Sequence, residues 1–225
     1  MIVGRSAAAS DVYKSKINFF DKMGHYARIG GLEVARADDD DRMMELKRKV
    51  ASGKAFGTNV KMISAAEAKA LFPLLEEDMI QGAMWDPDAG LVKPRSQTVA
   101  GVLVDNAVKT GKAQSWANTN AIGLDIQDGR IVGVETSRGY IAAKHVIVCA
   151  GLWGRTIAEM AGEDLPVMPV DHPLTFFGPY TEFEGTGKDI RYPLTRDQGN
   201  PAYMLDTADP FTPDGGHIEW GYYQE

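Results

Sequence analysis

The side chains best suited to proton transfer near neutrality are the four histidines, His25, His145, His172 and His217, because an unperturbed imidazole has a pKa of about 6.5. Taken alone, a histidine reads first as a hydrogen-bonded structural side chain, and His25, His145 and His217 are read that way or as surface residues. His172, His217, Glu219 and the single cysteine, Cys149, lack a recognisable ligand spacing, so no zinc site is expected. The aspartate run Asp38 to Asp41 lacks the interspersed ligands of a calcium loop and reads as a solvated helix start. The apolar run Val146-Ile147-Val148-Cys149-Ala150 ends at Gly151. Such an end brings bare main chain close to any ligand lying across the strand ends, or else is a plain strand-to-helix turn. No Gly-x-Gly-x-x-Gly occurs in the chain, so the backbone loop that cradles a dinucleotide pyrophosphate is not among these residues.

The elements that must position these groups follow from period and punctuation. Tyr13, Ile17 and Phe20 share a helical face between Asp11 and Met23, with Ser10 or Asp11 to cap the start and Gly24 the end. Ile29 to Arg36 alternates as a strand. The aspartates open a second helix whose end carries Lys47, Arg48 and Lys49, an order that suits the helix dipole. Ser64-Ala65-Ala66-Glu67 has the spacing of a capping box, and Pro73 stops the short helix that follows. After a turn over Trp85 to Gly90, Val99, Leu103 and Ala107 define a core-facing helix over Ser96 to Thr110, which Gly111 ends.

From Ala113 the period becomes strand-like. Asp128-Gly129 before Ile131, Val132 and Val134 signals a hairpin, and Arg138-Gly139 marks another turn. The apolar run ending at Ala150 has the composition of a strand buried on both faces, with Cys149 a small buried side chain, and a helix then runs to Met160. Beyond Gly162, frequent prolines and short aromatic strands predict a mostly antiparallel sheet. The fold class is thus mixed α/β. Two intertwined domains are expected.

Bulk properties narrow the function classes. With 225 residues the chain can bury a sizeable core, and a net charge of −7 without a basic stripe argues against phosphate-backbone binding. Nucleic acid and membrane are not expected as partners. A lone cysteine fits a reducing compartment, so a cytoplasmic location is expected, or the mitochondrial matrix in a eukaryote. Met1 to Ser10 has no apolar core of the kind a secretory signal requires.

Three segments, in this order and spacing, resemble the dimethylglycine and sarcosine dehydrogenase/oxidase group of the D-amino-acid-oxidase-like flavoproteins. They are Gly30-Gly31-Leu32-Glu33-Val34-Ala35, then Gly82-Ala83-Met84-Trp85-Asp86-Pro87-Asp88-Ala89-Gly90-Leu91-Val92-Lys93-Pro94, then Val146 to Gly154 through Gly151-Leu152-Trp153-Gly154, continued by Leu165-Pro166-Val167, Pro169 and His172. The resemblance implies an incomplete FAD-binding Rossmann-like domain interleaved with an antiparallel-sheet substrate domain. Residues 1–28 would be a remnant of the FAD domain, 29–92 the first part of the substrate domain, 93–163 the middle of the FAD domain and 164–225 the second part of the substrate domain. It places flavin contacts at Ala121, Ala150, Gly151 and Trp153, with Ala121 where relatives usually have valine. It makes His172 the residue that accepts the amine proton, since hydride transfer to a flavin needs a free nitrogen lone pair. Tyr203, in Arg196-Asp197-Gln198-Gly199-Asn200-Pro201-Ala202-Tyr203, matches the tyrosine that supports substrate and flavin. Leu174 departs from the family, where tyrosine is frequent.

The activity so implied is FAD-dependent oxidation of a secondary or tertiary amine, such as dimethylglycine or sarcosine, in the complete protein. Its partners are a small-molecule amine and an electron acceptor, oxygen or an electron-transfer flavoprotein, with tetrahydrofolate as a further ligand. On this reading the chain is an internal fragment, inactive alone, with an uncovered apolar edge and face that make it unstable or sticky. Two other readings stay open: a non-catalytic binding or assembly subunit with a degenerate flavoprotein fold, and a related flavin enzyme acting on another amine or amino acid.

Overall fold

In the computed structural model, residues 17–93, 96–185, 190–206 and 216–223 are described. Their elements in chain order begin with α1, residues 17–22, then β1 (Tyr26–Ala27), β2 (Gly31–Arg36), α2 (Asp40–Ala55), β3 (Lys61–Ser64), α3 (Ala65–Leu71), β4 (Ile80–Asp86) and β5 (Leu91–Val92). There follow α4 (Ser96–Lys109), β6 (Ala121–Gln127), β7 (Arg130–Thr136), β8 (Gly139–Ala142), α5 (Gly154–Met160), β9 (Leu174–Phe177), β10 (Leu194–Asp197), β11 (Ala202–Asp206) and β12 (Ile218–Tyr222). The expected caps Ser10 and Asp11, and Tyr13, lie outside the described residues. Contacts divide the chain into one unit of Met1–Val102 with His172–Glu225, and another of Leu103–Asp171.

The first unit is built on a seven-stranded sheet, in the order β3-β4-β2-β10-β11-β12-β9 among the described residues. All its pairings are antiparallel except β2 with β10. β2 is central because it is covered on both faces: Leu32 and Val34 on one, Glu33 and Ala35 on the other, are all buried. On the Leu32 face, α3 and the segment after it supply Ala68, Phe72 and Leu75 to the core, and the turn Thr181–Phe183 adds Phe183. The Phe72 and Phe183 rings meet edge to face at 5.6 Å. On the Glu33 face lies α2. Its start is held by the Asp39 carboxylate, which accepts from the Arg42 amide, with Asp40 and Asp41 in the first turn, and it buries Leu46 and Val50. Lys49 reaches from this helix to Glu33 and to Gln198. α3 opens on the expected capping box, Ser64 and Glu67 each bonding the other's amide, and ends before Pro73.

The second unit holds the three-stranded antiparallel sheet β6-β7-β8. Its first hairpin turns at Asp128 and Gly129 with φ of 52° and 74°, the left-handed pair that matches the twist of the flanking strands. Three sequence expectations fail in and around this unit. Residues 145–150 form no strand, Ile147 is 86% exposed, and Cys149 is exposed rather than buried. A strand buried on both faces needs a hydrogen-bonded neighbour, and no described residue pairs with this run. Similarly, of the α4 positions expected to face a core, Val99 is buried while Leu103 and Ala107 are exposed, so most of the helix lacks an apolar layer to pack on. Among the described residues no helix is long and apolar enough to cross a membrane.

Candidate functional site

Cross-strand register places a row of side chains on the sheet face that α2 leaves open. Arg196 of β10 pairs with Tyr203 of β11, Tyr203 with Gly221 of β12, and Gly221 with Leu174 of β9. Directly paired residues share a face, so all four positions look the same way. The opposite face of β10 is turned to the core, where Thr195 is fully buried. Gly221 is the reason the row is open: a Cβ there would lie 2.1 Å from the Tyr203 ring, so the phenol lies across bare main chain.

Tyr223 joins this row to His172. Its ring meets the imidazole edge to face at 4.7 Å and lies 5.6 Å from the Tyr203 ring. The backbone holds these rings in place: the Tyr223 amide donates to the Pro201 carbonyl at 2.7 Å, and the Tyr222 amide donates to the Pro173 carbonyl at 3.3 Å. His172 and Tyr203 are therefore brought together through a third ring. Burial holds the Tyr203 hydroxyl above the ordinary phenol pKa; the Glu219 carboxylate and Tyr223 push the same way, and Arg196 opposes them. The hydroxyl thus keeps its proton at neutral pH and can donate a hydrogen bond.

The other sequence-derived positions lie in the second unit. Ala121 opens β6, opposite Thr136, and is exposed. Ala150, Gly151 and Trp153 form one bend, in which the Trp153 amide donates to the Ala150 carbonyl at 3.1 Å. Gly151 has φ of 55°, and nothing lies within 4 Å of where its Cβ would be. Trp153 is 65% exposed. Gly151 therefore leaves main chain uncovered beside an exposed indole. Behind the bend is an apolar cavity of about 420 Å³ that includes Leu124, Ile131, Val148, Ile157 and Leu165 in its lining. Among the described residues, no group of three or more histidine, cysteine or acidic side chains could hold a metal ion.

Tyr223, Gly221 and the pairing of Arg196 with Tyr203 were not singled out from sequence. The available signal was the short strand pair around Gly199-Asn200-Pro201, whose alternation puts Arg196 and Tyr203 on one side. The other histidines do different things. His25 Nδ1 lies 2.9 Å from the Lys93 carbonyl and fixes a loop of the first unit.

The chain belongs to the family described as DAO, FAD dependent oxidoreductase, whose model matches residues 17–222. It is similar to the mitochondrial sarcosine dehydrogenase of Homo sapiens, with 32% identity over 152 residues, 64% of this chain and 16% of the relative. The mitochondrial dimethylglycine dehydrogenase of Rattus norvegicus is 27% identical over 176 residues, 78% of this chain and 20% of the relative. The mitochondrial pyruvate dehydrogenase phosphatase regulatory subunit of Mus musculus is 28% identical over 173 residues, 72% of this chain and 19% of the relative. Among solved structures, L-proline dehydrogenase from P. horikoshii shares the fold with a TM-score of 0.73 and 24% identity, over 98% of this chain and 55% of that one. The chain thus spans about a fifth or less of the length of these curated relatives.

Proposed function

We propose that the complete protein oxidises a secondary or tertiary N-methyl amine, such as sarcosine or dimethylglycine. The observation that carries this reading is the His172, Tyr223 and Tyr203 cluster on the open face of the large sheet. An ammonium nitrogen cannot assist hydride loss from its own carbon, so an unprotonated ring nitrogen of His172 takes the amine proton. Tyr203, with its hydroxyl kept protonated, donates a hydrogen bond that orients the substrate. Bound FAD supplies the two-electron acceptor for the hydride that leaves the carbon beside nitrogen. The substrate remains as an iminium, which water or tetrahydrofolate intercepts. Oxygen or an electron-transfer flavoprotein then takes the electrons.

In this reading residues 29–92 and 164–225 supply the substrate domain, and 93–163 part of the FAD domain. Main chain at Ala121, Ala150 and Gly151, with the Trp153 indole, would contact the flavin nucleotide. The mitochondrial relatives favour a matrix location in a eukaryotic host and a cytoplasmic one otherwise.

The visible absorption spectrum of the complete protein tests this directly. Bound flavin that bleaches anaerobically on adding sarcosine or dimethylglycine is the expected result, and a colourless, folded protein overturns the reading. The similarity to a phosphatase regulatory subunit favours one alternative, a binding subunit of flavoprotein fold without oxidation chemistry, and the same colourless result would support it.

A further inference from the structure

We infer that Tyr223 is a positioning residue for the amine oxidation proposed above, on which this inference rests: its ring sets the orientation in which His172 meets the substrate nitrogen. The imidazole is exposed, and among the described residues no hydrogen bond or ion pair reaches either of its nitrogens. A histidine used as a base is ordinarily oriented by a hydrogen bond to its second nitrogen. Here the contact on the imidazole is the Tyr223 ring, with centroids 4.7 Å and planes 73° apart. That is a favoured arrangement of two aromatic rings, the positive edge of one against the negative face of the other. It fixes the plane of the imidazole and leaves its nitrogens clear for a proton. The contact is made by the ring and not by the hydroxyl, so phenylalanine can replace tyrosine in it.

A ring can orient another only if it is itself held. The Tyr223 amide donates to the Pro201 carbonyl at 2.7 Å, and the Tyr222 amide donates to the Pro173 carbonyl at 3.3 Å, beside His172. Pro201 belongs to the turn between β10 and β11, and α2 clamps that turn. Arg42 Nη2 donates to the Gln198 carbonyl at 2.9 Å and Lys49 Nζ to Gln198 Oε1 at 3.0 Å. Inside the turn the Asp197 carboxylate accepts from the amides of Gly199 at 2.9 Å and Asn200 at 3.2 Å. The turn lies so close to the start of α2 that a Cβ on Gly199 would come within 2.8 Å of the Asp39 carboxylate. Tyr223 thus carries a fixed position from a clamped turn to an exposed imidazole.

The experiment follows anaerobic flavin reduction by saturating dimethylglycine in the complete, flavin-loaded protein. It compares wild type, Tyr223→Phe, Tyr223→Leu, His172→Gln and the double variant of His172→Gln with Tyr223→Leu. Tyr223 is 45% exposed, so these changes are not expected to unfold the protein, and Tyr223→Met repeats the test with an unbranched side chain. Tyr223→Leu should slow the limiting rate about 3- to 10-fold, the size of effect an aromatic pair supports, with little change in the substrate concentration for half-maximal rate. Tyr223→Phe should stay within about twofold of wild type. In the His172→Gln background, Tyr223→Leu should change the rate less than about twofold, because a ring that acts through the imidazole has nothing left to orient. A full rate in Tyr223→Leu, an equal loss in Tyr223→Phe, or the same factor in both backgrounds overturns the positioning role and leaves amine oxidation standing. A His172→Gln protein that reduces its flavin at the wild-type rate removes the base itself, and the reading beneath this inference with it.

Discussion

The two units treat the same kind of residue in opposite ways. In the first, Leu32, Val34, Phe72 and Phe183 are sealed between the seven-stranded sheet, α3, the segment after it and the turn Thr181–Phe183, and α2 closes part of the other face. In the second, Ile147, Val148, Leu152 and Trp153 stand in solvent beside a three-stranded sheet. Apolar composition alone does not make a core. A run becomes a buried strand only when neighbours satisfy its backbone and cover its side chains, and the first unit supplies both among its described residues.

The difference can be broken most sharply by mutation. Phe72→Ala removes a fully buried ring and should cost about 3–5 kcal/mol, read as a lower urea midpoint; Ile147→Ser should cost under about 0.5 kcal/mol in the same assay. A large loss from Ile147→Ser would show that this run packs against a core after all. Next in size, Gly221→Val drives a side chain into the Tyr203 ring. It should depress amine oxidation in the complete protein more than it lowers the thermal midpoint, and equal effects on both would remove the open row from the site. Smallest is the cap of α3. Ser64→Ala should cost about 1 kcal/mol.

The same cap carries a pH dependence. Hydrogen bonds from the Ser64 amide and hydroxyl hold the Glu67 carboxyl below its ordinary pKa. The group is depressed in the folded state, so its contribution is present above the unfolded pKa and fades as pH falls through the folded value. Wild type and Ser64→Ala should therefore converge in stability on acidification below the usual glutamate range. A gap that stays constant as pH falls well below that range contradicts the cap.

Local signals were read correctly where they are self-contained. The Ser64 and Glu67 capping box, the acidic start of α2 and the Asp128-Gly129 turn each depend on a few adjacent residues, and the structure has all three. The strand expected to end at Ala150 depended on distant partners, which a run of Val, Ile and Cys cannot specify. The candidate site divides in the same way. His172 and Tyr203 enter as expectations from a family resemblance, whereas Tyr223 and Arg196 gain meaning only from register across β9, β12, β11 and β10. No spacing along the chain announces that Gly221 clears the ground between them.

The most direct measurement is anaerobic reduction of the flavin by dimethylglycine across pH, in the complete protein and in its His172→Gln variant. The variant should keep its flavin and reduce it about 100-fold or more slowly at neutral pH. Reduction at the wild-type rate with the same pH profile would take His172 out of the chemistry, and with it the sheet-face site proposed for this chain.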